Sequence, residues 1–274
     1  MSDIPMEDNF EDILGKALRG TGIADEILEF LTGVPEETIA KLKAGEFEED
    51  ALRKVASPLG LDSPTLVERA KGSWIPESVE IEGLRQYNTV YDDMTVNYYL
   101  VWDSTSKEAA LFDTGTDTTG ALGVVDELGL KLTHLFFTHT HLDHIMDRER
   151  VEKHSPEVQT LVNALEPTEG ATRFQVGDAF SVGTLRVSTR LTKGHSPGGI
   201  TYVIHGLEQP VAIVGDAIFA QSMGGGMISY QDALATNRAE IFTLPDETIV
   251  CPGHGPMTTV GEEKAHNPFF PEFK

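Results

Sequence analysis

The chain has 274 residues, 40% of them hydrophobic, enough for one large domain or a medium domain with a smaller companion, and for a core of its own. Its formal net charge of −23 repels phosphates and argues against a nucleic-acid surface spread over the molecule. The single cysteine, Cys251, excludes an intramolecular disulfide and a thiolate-rich zinc cluster, so any metal site must rest on histidine and carboxylate.

The N-terminal stretch MSDIPMEDNFEDILGKALRG lacks a basic n-region and an apolar h-region, and no apolar run of about 18 residues occurs anywhere. A cytoplasmic protein with no membrane span is the expectation. Residues 1–71 read as helical, because apolar residues recur at three- and four-residue steps in FEDILGKAL, ADEILEFL, EETIAKLKAG and EDALRKVASPLGL. Pro35 opens one of these helices and Gly45 closes it. Gly72 and Pro76 interrupt the helical period in KGSWIPESVEI, which reads as a linker between a small all-α domain at 1–75 and a second domain at 76–274. From about residue 80 the period changes to two. NYYLVW, EAALFDTG, THLFFTHTH, GTLRVSTRLTKGH, ITYVIH, PVAIVGDAIF and ETIVCPGHG alternate with loops and helices, as in an α/β domain.

Three of the nine histidines fall in THTHLDH, directly after the apolar run LFF. His139 and His141 are two apart, so an extended backbone projects both imidazoles to one side, and Asp143 and His144 follow as the chain turns. Three further segments end an apolar run at a polar residue beside glycine: LTKGHSPGG with His195, AIVGDAIF with Asp216 and IVCPGHGP with His254. If these strand ends converge, five histidines and two aspartates can hold two divalent ions. Such a donor set suits zinc first, with iron or manganese as alternatives. A metal pair that activates water points to a hydrolase acting on a small-molecule substrate. His134, His154, His205 and His266 fit no such pattern.

From about Val79 to Phe270 the chain resembles the metallo-β-lactamase-fold hydrolase superfamily, through the H-x-H-x-D-H segment at 139–144. The resemblance implies a four-layer αβ/βα sandwich, here preceded by the small all-α domain. It also implies one metal on His139, His141 and His195, a second on Asp143, His144 and His254, and Asp216 bridging them. Asp143 and Asp216 would assist proton movement, and Asp113 in LFDTG would orient a ligand. GDAIFAQSMG and LPDETIVCPGHGPMTTVGEEKAHNPFF are similar to the short hydroxyacylglutathione hydrolase (glyoxalase II) relatives, which implies cleavage of a thioester or related ester. Gly225 stands where that group often carries an arginine, and Lys193 where it carries a proline. The alternative is an iron-dependent oxidoreductase like the persulfide dioxygenases, near relatives of glyoxalase II.

Residues 9–71 resemble a repressor-type helix-turn-helix bundle, which raises a third reading, a DNA-binding regulator with a metal-binding sensor domain. In that alignment the helix at Pro35 would enter the major groove. Its first turn carries Glu36 and Glu37, however, and residues 1–71 hold 16 acidic against 8 basic side chains, a balance of −8. Packing against the second domain, or a homodimer through these helices, is the expected role in place of nucleic-acid binding.

Overall fold

The computed structural model describes residues 4–274. Five short helices come first: α1 (Phe10–Thr21), α2 (Asp25–Thr32), α3 (Glu36–Lys43), α4 (Glu49–Ala56) and α5 (Ser63–Lys71). Their ends follow local chemistry. At α5, the Asp62 carboxylate accepts from the Thr65 backbone N–H at 3.0 Å, and Gly72 in the left-handed region closes the helix. The segment 73–83 has no regular structure beyond a turn, as its glycine and proline suggest.

Two six-stranded mixed sheets follow. The first runs in the order β1 (Leu84–Tyr91), β2 (Met94–Trp102), β3 (Glu108–Phe112), β4 (Lys131–Phe136), β5 (Gln159–Asn163), β6 (Thr172–Phe174), with α6 (Thr119–Leu128), α7 (Leu142–Ile145) and α8 (Arg148–His154) in its connections. The second contains β7 (Ala179–Val182), β8 (Leu185–Leu191), β9 (Ile200–His205), β10 (Val211–Gly215), β11 (Ile249–Pro252) and β12 (Thr258–Thr259) in adjacent order. Helices α9 (Tyr230–Thr236) and α10 (Val260–His266) belong to this half. The two sheets with flanking helices form the α/β domain that the strand pattern implied, arranged as the sandwich that the family resemblance implied.

Strand periodicity assigns each side chain to a layer. Tyr202, Ile204, Val211, Ile213, Ile249 and Cys251 face the first sheet, where they meet Tyr99, Phe112 and Phe136. Their chain neighbours Val203, Ala212 and Val250 point the other way. There they join Phe269, Phe270 and the inward faces of the five N-terminal helices, including Ile13, Leu14, Ile39, Leu52 and Val55, in one hydrophobic cluster. The helical bundle and the second sheet are therefore packed as one body of core. Among the described residues no helix is long and apolar enough to cross a membrane.

Direction of pairing sets the position of the site. β3 and β4 are parallel, β10 and β11 are parallel, and β8 shares their direction because β9 runs antiparallel to both β8 and β10. The carboxyl ends of these strands, where the histidine and aspartate segments begin, lie at one rim of the sandwich.

Candidate metal centre

All seven residues singled out in the sequence meet at that rim. His139, His141, His195 and Asp216 form one group of donor atoms, Asp143, His144 and His254 a second, each with its donor atoms within 4.8 Å of one another. Asp216 faces both. Its Oδ2 lies 3.3 Å from His195 Nε2 and 3.4 Å from His254 Nε2, and its Oδ1 lies 3.3 Å from His144 Nε2. Asp143 Oδ2 is 3.4 Å from His144 Nε2 and 3.5 Å from His254 Nε2.

Strand β4 stops at Phe136, so His139 and His141 are not carried by regular extended backbone as their spacing suggested. Two carboxylates shape the loop in its place. Asp113 accepts from the Thr138 N–H at 2.8 Å and from its hydroxyl at 2.7 Å, while Glu166 accepts from the Thr140 N–H at 3.0 Å and from the Gly198 N–H at 2.7 Å. With the loop held at both points, His139 Nε2 and His141 Nδ1 are 3.0 Å apart. Two glycines keep the floor open. Gly215 turns the chain with φ of 51° just before Asp216, and a Cβ on Gly253 would come within 2.7 Å of the His144 ring.

Three of the five imidazoles have their outer nitrogen committed to an acceptor. His144 Nδ1 donates to Asp113 Oδ2 at 2.8 Å, His195 Nδ1 to the Gly225 carbonyl at 2.9 Å and His254 Nδ1 to the Thr95 carbonyl at 2.6 Å. These acceptors place the proton on Nδ1 and leave the Nε2 lone pair aimed at the centre. His144 Nε2 and Asp216 Oδ1 are buried without a hydrogen-bond partner, although such groups are rarely left unsatisfied. A divalent ion resolves that deficit. A tetrahedral ion with bonds of about 2.0–2.1 Å spaces its ligands about 3.3 Å apart, and donor pairs here run from 3.0 Å for His139 with His141 to 3.9 Å for His139 with Asp216.

Charge is divided unevenly over the centre. Burial would push the Asp216 carboxyl up, yet the imidazoles of His254, His144 and His195 hold it well below the ordinary carboxylate range. Burial and the neighbouring imidazoles push His139 well below its usual value, and burial lowers His195. Burial also acts to lower His254 and His144, but the Asp216 carboxylate raises His254 to about 9 and, with Asp113, holds His144 well above its usual value, so an ion binding there displaces a proton from each Nε2.

Glu166, Thr138 and Asn97 have no counterpart among the residues the sequence pointed to. Asn97 is buried on β2 and donates to the Pro252 and Gly255 carbonyls at 3.0 and 2.7 Å, fixing the loop that carries His254. Glu166 sits alone in NALEPTEG and Asn97 within an apolar strand, so neither has a spacing signal. Cys251 is buried with its sulfur 3.7 Å from that of Met257, away from solvent, and burial pushes its thiol well up. Lys193 pairs with Asp232 at 3.2 Å.

A model described as the metallo-beta-lactamase superfamily matches residues 91–254. Mitochondrial persulfide dioxygenase ETHE1 of Mus musculus is 32% identical over 180 residues, covering 62% of this chain and 69% of that protein. Hydroxyacylglutathione hydrolase GloC of Haemophilus influenzae is 30% identical over 198 residues, 63% of this chain and 92% of that one. Among solved structures, ETHE1 from Myxococcus xanthus superposes with a TM-score of 0.60 at 28% identity, over 69% of this chain and 85% of the other.

Proposed function

The chain belongs to the metallo-beta-lactamase superfamily of metal-dependent enzymes, and we propose that within it the protein hydrolyses a thioester or related ester with two divalent ions, zinc first among the candidates. The observation that supports this reading is the pair of donor groups joined by Asp216, with the outer nitrogens of His144, His195 and His254 tied back by Asp113 and two backbone carbonyls. His139, His141 and His195 would hold one ion, and Asp143, His144 and His254 the other. When bound, such ions supply a water acidified toward neutral pH and a Lewis acid for the carbonyl oxygen.

Hydrolysis adds one water across the acyl–sulfur or acyl–oxygen bond, giving a carboxylic acid and a thiol or alcohol, and one proton must reach the leaving group. Asp143 or Asp216, the carboxylates among the grouped donors, passes that proton from the attacking water to the leaving group. Asp113, Glu166 and Asn97 orient the ligand loops without touching the reacting atoms. GloC, similar over 92% of its own length, is named for this class of reaction and also supports the reading.

The test is elemental analysis of the purified protein, followed by a thioester, lactone and phosphodiester panel with the matching metal restored. Two metal equivalents and thioester turnover are expected, and His195→Ala should lose both turnover and bound metal. A His195→Ala protein with full activity and full metal content overturns the assignment. A second reading, persulfide dioxygenation, draws on the similarity to ETHE1 and on the two-histidine, one-carboxylate set available in His139, His195 and Asp216. One tightly bound iron with oxygen consumption on a persulfide would favour it over hydrolysis.

A further inference from the structure

The metal centre opens to solvent beside His141, which is exposed although its partners His139 and Asp216 are buried. Five of the fifteen exposed large apolar side chains among the described residues stand on the segments around that opening: Leu142, Met146, Leu165, Met227 and Ile228. Leu142 and Met146 are four apart on and just after α7, so they share the face next to His141. Leu165 packs against the loop of His195, where a Cβ on Gly198 would fall 2.8 Å from its own. Met227 and Ile228 flank the same loop: the Met227 N–H donates to the Gly225 carbonyl that also holds His195, and the Ile228 N–H donates to the Gly194 carbonyl at 2.9 Å. The two flanks meet at the centre, since His195 Nε2 and His141 Nδ1 are 3.0 Å apart.

Three cations on these segments are paired with carboxylates. Lys193 is held by Asp232, Arg150 by Asp147 at 2.8 Å and Arg148 by Glu152 at 2.6 Å. Scattered exposed apolar side chains are ordinary, but Leu142, Met227 and Ile228 keep 63%, 75% and 64% of their surface exposed on the loops that carry His141 and His195 or adjoin them, so an apolar group reaching the centre would meet them. With a net charge of −23 on the chain, an anionic substrate tail meets repulsion here.

We infer that the substrate presents an uncharged aliphatic acyl chain, which lies in this collar while its carbonyl reaches the metal centre. The inference rests on the hydrolase reading and names the acyl part of that substrate. A hydrocarbon chain gains about 0.8 kcal/mol for each methylene it buries, so kcat/KM should rise roughly two- to four-fold per added methylene until the collar is filled.

The experiment uses the metal-loaded full chain with N-acetylcysteamine thioesters from acetyl to decanoyl, and with carboxylate-terminated acyl groups of matching length. In parallel, calorimetry measures binding of N-methyl alkanamides, which carry the same chains and no hydrolysable ester. The expected result is a kcat/KM that climbs with chain length and falls for the carboxylate-terminated series, amide binding that tightens in step, and both slopes reduced in the double variant Met227→Ser, Ile228→Ser. Thioester hydrolysis with a flat chain-length profile and indifferent amides overturns the collar and leaves the hydrolase standing. Amides that bind according to chain length, on a protein that hydrolyses no ester, uphold the collar and remove the hydrolase reading.

Discussion

Asp113 is a single carboxylate with three donors, the Thr138 N–H, the Thr138 hydroxyl and His144 Nδ1, and it adopts a φ of 58° at the end of β3 to reach them. Aspartate tolerates that left-handed conformation better than most side chains. Replacing it with asparagine keeps the shape but can present an N–H to a partner that needs an acceptor. Asp113→Asn should lower metal affinity about 10- to 100-fold, the usual cost of losing such a support, read by competition with a chromogenic chelator; affinity equal to wild type would show that Asp113 does not orient His144. Glu263 raises a different matter. Burial pushes its carboxyl up to about 8, against the lowering effect of donors from Asn267, Thr258 and the Gln221 N–H. A folded-state pKa above the ordinary 4.5 means that the folded chain binds more protons between those two values. The contribution is therefore favourable at acid pH and is lost as pH rises toward about 8. Between about pH 5.5 and pH 8.5 the urea midpoint of the wild type should fall further than that of Glu263→Gln, and parallel curves would contradict the assignment.

At the scale of elements, the contact between α1 and the segment after β10 joins the bundle to the catalytic half. Lys16 forms an ion pair with Asp8, donates to the Met223 carbonyl at 2.8 Å and lies 5.1 Å above the Phe219 ring, which itself stands edge-on to His254 at 5.5 Å. Asp8 also accepts from the Ser222 hydroxyl, and Glu68 of α5 accepts from Gln221 Nε2 and His266 Nδ1. Lys16 and Asp8 keep only 13% and 8% of their side-chain surface, so removing one leaves a charge buried without its partner. Lys16→Met should cost about 3 kcal/mol of stability, measured by urea unfolding at neutral pH, and a change under about 0.5 kcal/mol would place the pair among the weak surface bridges. The helical bundle was legible as helices from its three- and four-residue periods. Its attachment was not, because Gln221, Ser222 and Met223 show no pattern that announces a docking surface.

For the whole molecule, the shared hydrophobic cluster ties the five N-terminal helices to the outer face of the second sheet. Local opening of the bundle would expose Val203, Ala212, Val214 and Val250 along with its own core. Calorimetry of the metal-loaded protein should show one cooperative transition, its midpoint lowered by a chelator and restored by metal, as for any ligand that binds the folded state alone. Two separated transitions would show that the bundle folds by itself.

The sequence by itself determined the layers and the donors. Two-residue alternation decides which side chains enter the sandwich, and the runs that end in His139, His195, Asp216 and His254 carry chemistry that no apolar core requires. Only the tertiary structure decided how the donors are held and what surrounds them. Glu166 reaches the loop of His139 and Asn97 reaches that of His254, because these partners sit on separate strands and loops, whereas the orienting role of Asp113 was already implied by the LFDTG segment. Contacts made across strands depend on pairing direction and register, which a single chain's periodicity does not encode.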